Sequence, residues 1–593
     1  ANQRTPLLPL MGQPAATSSS RSAVGGTLAL SGIALSLLAM AAPAHAALPQ
    51  LSAAQPATLQ SCTDLASRLT LPDTRITSSE LVKEGSLTIK EMTTPVPAHC
   101  LVKGKMKERT SPVDGAAYAL GFEVRMPVHW NGRFLHQANG GLDGEIVPAL
   151  GAVSGGAPVA PALVQGFAVL SSDAGHPTPS PFFGVDPQAR LDYGYQAVGT
   201  LTPMAKSLIQ SAYGKGPDRS YLAGCSNGGR HAMVGASRYA DQYDGILAGA
   251  PAFNWTRFIT SELYPQVVMQ RDLGRTIPNA KLHAASALAL RSCGGAQASW
   301  GFLLDPLACT YNPARDPAAL CAGEAGEAGV QGTNAQGTCL GLKEAQALNK
   351  IWYGMTRDGS APDPAQDNGR TGSLAAQRGQ LWWGLTRGTD LTALAGEREP
   401  FPIASQVVAL SLQNPRIAQK GMFSNATGNA EDGWKALSYS DLVSAYERGL
   451  AMQARFSHIN TDSPDLSGLR DRGAKVLSYH GLSDQLIMPQ GSLNYFDRLV
   501  QHMGGVDKVQ TFNRLFFIPG LGHTGAFGGT ASVGLDGAIT PPSAVPLPQP
   551  ATGRDELFNA LRNWVEKGIA PERIASSMKS SPFTRAPSNA PNT

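Results

Sequence analysis

The stretch Arg219–Ala240, RSYLAGCSNGGRHAMVGASRYA, decides the fold of this 593-residue chain. RSYLAG reads as a buried strand, GGRHAMVGASRYA as the helix that leaves it, and YDGILAGAP (Tyr243–Pro251) as the next strand. Between strand and helix, Gly224 and Gly228 flank Ser226 in the spacing G-x-S-x-G. A strand, a sharp turn and a helix form the context that lifts a serine Oγ out at the end of a sheet. Upstream, short apolar runs alternate with glycine-rich loops: FEVRMPV from Phe122, GRFLHQANGGLDG from Gly132 and GFAVLSSDAGH from Gly166. That rhythm predicts a mostly parallel α/β sheet.

Composition removes several classes. Lys and Arg number 48 against 44 Asp and Glu, a net +4, which lacks the basic excess of a nucleic-acid binder. With 42% apolar and 16% charged residues the chain has material for a large core. Near the N-terminus Arg21 precedes an apolar run, Leu28–Met40, followed by AAPAHA, the pattern of a secretory leader cleaved after Ala46. The run is short for a membrane span of about 20 residues, so export to the periplasm or outside is expected, with no membrane attachment after cleavage. An oxidising compartment permits disulfides. The sequence-local pairing of the seven cysteines is Cys62 with Cys100, Cys293 with Cys309 and Cys321 with Cys339, which leaves Cys225 over.

Residues 47 to about 115 read as mixed and turn-rich. From about Phe253 to Phe456 the strand rhythm fades into helix-like pieces such as NAKLHAASALALRS and a low-complexity patch, CAGEAGEAGVQG. Two look-alike pieces, WYGMTR at Trp352 and WWGLTR at Trp382, fall short of the three copies a repeat architecture needs. Strand signals return at AKVLSYHG (Ala474–Gly481) and RLFFIPGLGH (Arg514–His523). The expected organisation is a leader over 1–46, a first core part over 47–252, a lid insertion over 253–456, a second core part over 457–575, and a loose tail over 576–593.

A serine hydroxyl is a weak nucleophile at neutral pH unless a histidine takes its proton and a carboxylate orients that histidine. Asp484 follows the strand-like VLSYHG and His523 follows LFFIPG, so the order Ser226, Asp484, His523 is that of an α/β-hydrolase, with a large lid-domain insertion between nucleophile and acid. An oxyanion hole calls for the amide of Asn227 and one from Gly140 or Gly141 in QANGGLDG. His231 reads as a packing or hydrogen-bonding residue rather than the base. His480 is open between lining the pocket and bonding within its loop. Ile487, Trp382 and Trp383 are further candidates to touch a substrate, with ordinary lid core as the competing role for the tryptophans.

As a set, WNGRFLHQANGG, SSDAGH, the long stretch from Leu191 to Met233, YDGILAGAP, YHGLSDQLIMP and FFIPGLGH resemble the tannase and feruloyl esterase family of secreted α/β-hydrolases. The resemblance implies serine-dependent hydrolysis of esters of aromatic acids, of feruloyl, galloyl or terephthalate monoester type, under a closing lid. It also implies a disulfide between the residue before the nucleophile and the residue after the histidine. Here Cys225 is kept but Thr524 follows His523, so that tether is absent and Cys225 is expected as a thiol buried under the turn. The family's calcium loop corresponds to CGGAQASWGFLLDPLAC, where Gly294, Gln297 and Gly301 stand near expected aspartates and Asp305 alone remains; no metal or other cofactor is expected. A peptidase of the same fold, or a binding protein without turnover, are the competing readings.

Overall fold

A computed structural model describes residues 51–89, 94–151, 160–422, 424–425, 428–523 and 556–574, together with short strand pieces at 532–533, 539–540, 548–550, 576–578 and 584–585. The predicted leader and most of the tail lie outside these residues, as does Thr524.

Nine strands form the central sheet: β1 (Thr74–Val82), β2 (His99–Thr110), β3 (Ala117–Pro127), β4 (Arg133–Gln137), β5 (Ala168–Ser172), β6 (Arg219–Cys225), β7 (Gly245–Gly249), β8 (Lys475–Gly481) and β9 (Asn513–Ile518). Their order across the sheet is β9-β8-β7-β6-β4-β5-β3-β2-β1. β4 to β9 run parallel, and β1 to β3 add an antiparallel flank. The parallel strands are nearly continuous apolar runs because helices cover both faces; every residue of β5 and β7 is buried. The antiparallel flank lies largely in the segment read as turn-rich. β1 and the second half of β2 leave alternate residues in solvent, so polar TRITSSELV and KGKMKERT carry a period of two that no long apolar run announces.

Strand order reverses around β4. The chain passes from β3 over to β4, returns to β5 between them, then crosses to β6 on β4's other side. The loops after β4 and β6 therefore leave the same edge side by side, the position where open α/β sheets form their binding crevice. Gln137 pairs with Ala223, and Ala138 N donates to Ala223 O at 2.9 Å.

Helix α1 (Ala197–Tyr213) and α2 (Asn227–Arg238) flank β6, the strand that ends at Cys225. Between β7 and its parallel neighbour β8 the chain builds α3 (Trp255–Glu262), α4 (Asn279–Gly294), α5 (Leu342–Tyr353), α6 (Pro402–Ser411) and α7 (Tyr439–Ala451). Two of the disulfides, Cys293–Cys309 and Cys321–Cys339, lie here, and Cys62–Cys100 ties the N-terminal region to β2. The pairing follows sequence proximity. The apolar residues of this segment merge with those under the sheet, so Trp352, Trp383 and Leu442 share one cluster with Leu201 and Phe122. The second core part adds α8 (Pro489–His502) and α9 (Leu557–Lys567). Among the described residues no helix is long and apolar enough to cross a membrane.

Candidate active site

Ser226 sits where β6 becomes α2, with φ 63° and ψ −125°, a left-handed conformation that costs a non-glycine residue about 1–3 kcal/mol. The turn survives because it is tied on all sides: Ser226 N donates to Gly249 O, and Ser226 O accepts from Arg230 N and Ala252 N, each at 3.0 Å. The flanking glycines are required by contact. A Cβ on Gly224 would stand 2.5 Å from the Gly228 backbone, and one on Gly228 2.6 Å from Ala138 O.

Asp484 and His523 occupy the loops after β8 and β9, so all three residues meet at the C-terminal ends of parallel strands. His523 Nδ1 donates to Asp484 Oδ2 at 3.0 Å, which leaves Nε2 to accept from Ser226 Oγ at 2.9 Å. Asp484 is fully buried, and its other oxygen accepts from the amides of Leu486 and Ile487, both at 2.9 Å. Burial alone would raise its pKa, but the charge of His523 and the hydrogen bonds from His480 and His523 outweigh it and hold the carboxyl below the ordinary carboxylate range. The residue is an anion at every pH where the chain would work.

His480 stands behind Asp484. Its Nε2 faces Asp484 Oδ2 at 3.1 Å and Ile487 O at 2.9 Å, and its Nδ1 faces Ser492 Oγ at 2.7 Å. The acid loop engages one ring nitrogen and Ser492 on α8 the other, and the side chain is fully buried. Ile487 is also buried, directly beside that loop. Trp382 and Trp383 lie in the apolar core of the helical segment.

The loop after β4 lies against the serine turn: a Cβ at Gly140 would be 3.9 Å from Cys225 O, and one at Gly141 would meet nothing within 4 Å. Among the described residues the amides of Gly140, Gly141, Leu142 and Asn227 donate to no protein acceptor. Unengaged N–H groups of this kind are what an oxyanion hole requires.

Cys225 stands outside the three disulfides and is half-buried, not enclosed as a thiol under the turn would be. The segments after β8 and β9 are joined by hydrogen bonds. Ser483 N donates to Leu521 O at 3.0 Å, Leu482 N to Ile518 O at 2.9 Å, and His523 N to Gln485 Oε1 at 2.9 Å. Gly481 lets them touch, since a Cβ there would be 2.1 Å from Leu521 O.

Three neighbouring side chains, Gln485, Asp143 and Glu262, escaped the sequence reading, whereas His231 was read as a packing or hydrogen-bonding residue. Gln485 holds His523 from the loop after β8, and Asp143 faces His231 on α2 at 2.8 Å. Glu262, at the end of α3, is buried with both carboxyl oxygens lacking a protein partner; burial, and then the charge of Asp484, push its carboxyl well above the ordinary range. The residues QANGGLDG and SDQ were already in the quoted motifs, but nothing local marks their partners.

In the loop between Cys293 and Cys309, Asp305 opens on a hollow that Arg291 and Arg315 also line. Asp316 lines it too, but its carboxylate already accepts from Tyr311 OH at 2.7 Å and from Ala318 N at 2.9 Å, and two guanidinium groups beside two carboxylates are a donor set poorly suited to a hard dication. No group of three His, Cys, Asp or Glu side chains that could hold a metal occurs among the described residues.

The family model of tannase and feruloyl esterase matches residues 100–586. Mono(2-hydroxyethyl) terephthalate hydrolase of Piscinibacter sakaiensis is 28% identical over 529 residues, covering 81% of this chain and 78% of that protein. A probable feruloyl esterase of Arthroderma benhamiae is 28% identical over 464 residues, covering 76% and 73%. Among solved structures, feruloyl esterase B from Aspergillus oryzae superposes with a TM-score of 0.66 at 22% identity, over 89% of this chain and 95% of that one, a likeness of fold. The chain belongs to the tannase and feruloyl esterase family and is a carboxylic ester hydrolase.

Proposed function

We propose that the chain hydrolyses esters of aromatic carboxylic acids through an acyl-enzyme on Ser226. The observation that carries this is the hydrogen-bonded row Ser226 Oγ, His523 Nε2, His523 Nδ1, Asp484 Oδ2 beside unengaged backbone amides. In the first half-reaction Ser226 Oγ attacks the ester carbonyl while its proton passes to His523 Nε2. The carbonyl oxygen, now an anion, is held by the amide of Asn227 with those of Gly140 or Gly141. Collapse breaks the bond to the alcohol, which leaves with the proton from His523. Water then repeats the sequence: His523 takes its proton, hydroxide adds to the acyl carbon, and the acid departs as Ser226 regains a proton. Asp484 stays ionised throughout and stabilises the imidazolium.

The substrate is a small-molecule ester whose acid is feruloyl-, galloyl- or terephthalate-like, a reading supported by the named relatives. The segment 253–456 acts as the lid over that acid. No calcium is expected in the Cys293–Cys309 loop, where Arg291 and Arg315 share the hollow with Asp305 and Asp316. The protein works in the periplasm or outside the cell, consistent with three disulfides and the N-terminal leader pattern.

The test is hydrolysis by the purified chain and its Ser226→Ala variant of methyl ferulate, methyl gallate, a terephthalate monoester and a short p-nitrophenyl ester. Cleavage of at least one aromatic-acid ester, with loss of about 10³-fold or more in the variant, is expected. Equal turnover by the two proteins would remove Ser226 from the mechanism.

A further inference from the structure

The loop that offers the oxyanion amides is gripped from behind. Asn139 O accepts from Asn227 Nδ2 at 3.4 Å, Gly140 O from Asp143 N at 3.2 Å, Gly141 O from Tyr193 OH at 2.8 Å, and Leu142 O from His176 Nε2. In a trans peptide the N–H points opposite the preceding carbonyl. Turning the carbonyls of Asn139, Gly140 and Gly141 toward these donors therefore turns the amides of Gly140, Gly141 and Leu142 the other way.

The fixed end of this grip is a buried carboxylate. Asp143 Oδ2 accepts from His231 Nε2 and from Asn227 Nδ2, both at 2.8 Å. His231 and Asn227 stand one helical turn apart on α2, the helix that begins at Ser226. Arg230 Nε donates to Asn227 Oδ1 at 2.9 Å and its other nitrogens to the carbonyls of Tyr193 and Gly194, both at 2.7 Å. Asn227 thus offers its backbone amide to the oxyanion site while its side chain fastens the opposite loop. Burial pushes the His231 imidazole below its ordinary range, and the carboxylate of Asp143 at Nε2 places a proton there; Nδ1 faces no protein partner.

We propose that Asp143 and His231 are positioning residues of the oxyanion hole: their hydrogen bond sets the distance between the amide of Asn227 and the amides of Gly140 and Gly141. The inference rests on the serine-hydrolase reading above. Because charge on the carbonyl oxygen develops only in the transition state, a displaced loop weakens turnover without weakening substrate binding.

The experiment measures kcat and KM on the p-nitrophenyl ester for Asp143→Ala, His231→Ala, His231→Gln and Ser226→Ala, with active sites counted by stoichiometric phosphonate inhibition. Both alanine variants at positions 143 and 231 are expected to lose about 10- to 100-fold in kcat per titrated site with KM within about two-fold. A glutamine amide can still donate to Asp143, so His231→Gln is expected to recover most of that loss. Should Asp143→Ala fail to fold, the contrast between His231→Ala and His231→Gln decides alone. A kcat per titrated site within two-fold of the parent in the alanine variants, or a KM that rises in step with the loss, overturns the proposal. If Ser226→Ala is inactive while those variants keep their kcat, this inference alone falls; if Ser226→Ala turns over like the parent, the serine reading falls and takes it along.

Discussion

His523 is held from two directions, and neither is covalent. Its imidazole is oriented by Asp484, and its backbone amide donates to Gln485 Oε1 at 2.9 Å. That amide bond links the segments after β8 and β9, beside the bonds from Ser483 N to Leu521 O and from Leu482 N to Ile518 O. A misplaced base loses rate steeply, since near-attack geometry tolerates little displacement. Gln485→Ala is expected to lower kcat on the p-nitrophenyl ester about 10-fold, with Gln485→Glu intermediate because a carboxylate can still accept from the amide. Steady-state kinetics check this, and an unchanged kcat in Gln485→Ala would show that the remaining loop bonds suffice.

At the scale of elements, the two look-alike pieces turn out to lie against each other. Leu381 N donates to Met355 O at 2.8 Å and Gly384 N to Tyr353 O at 3.3 Å, so WYGMTR and WWGLTR meet backbone to backbone. The glycine of each makes the approach possible: a Cβ on Gly354 would lie 2.3 Å from Trp382 O, and one on Gly384 2.2 Å from Ile351 O. Gly354 also has φ +106°, where a side chain is strained whatever the space. Gly354→Ala is therefore expected to destabilise the chain by about 3 kcal/mol or more, read as a lowered midpoint in urea unfolding. A midpoint equal to the parent's would mean that the backbone contact yields freely. The likeness of the two pieces was visible in the chain; that they are partners was not, because a stretch of irregular path separates them and no periodicity encodes the return.

Across the whole molecule, long-range bonds close the fold. Glu566 on α9 accepts from Arg133 Nε and Nη2 and from Tyr221 OH, binding the last helix to β4 and β6. Stability as a function of pH belongs to this scale too, and Asp173 gives it a direction. Burial pushes its carboxyl up to about 7, against an ordinary value of 3.8. Between about pH 4 and 7 the unfolded chain has released that proton while the folded chain retains it, so folding takes up a proton and stability declines as pH rises through this window. Asp173→Asn keeps an acceptor for the amides of Gly121 and Gly175, which bond Oδ1 at 3.0 and 2.9 Å. The variant is expected to gain about 3 kcal/mol relative to the parent between pH 5 and pH 8. Urea unfolding at the two pH values checks it, and a constant difference between the proteins would mean that Asp173 ionises in both states alike.

What the sequence determined by itself was local or ordinal. The turn at Ser226 follows from two glycines in contact with backbone, the parallel strands from apolar runs, the disulfides from proximity along the chain, and the order of Ser226, Asp484 and His523 from loops after strands. The tertiary structure decided what depends on which strand lies beside which. β4 and β6 are neighbours although β5 lies between them in sequence, and that adjacency alone brings Asp143 to His231 across α2. β1 and β2 hide their period among exposed polar residues, so only their pairing with β3 reveals them. Glu262 is an ordinary glutamate until the surrounding segment excludes water from it, and Gln485 an ordinary loop residue until the histidine loop folds over it. Short-range sterics and burial patterns are written along the chain; hydrogen bonds between distant loops exist only once the sheet has fixed their separation.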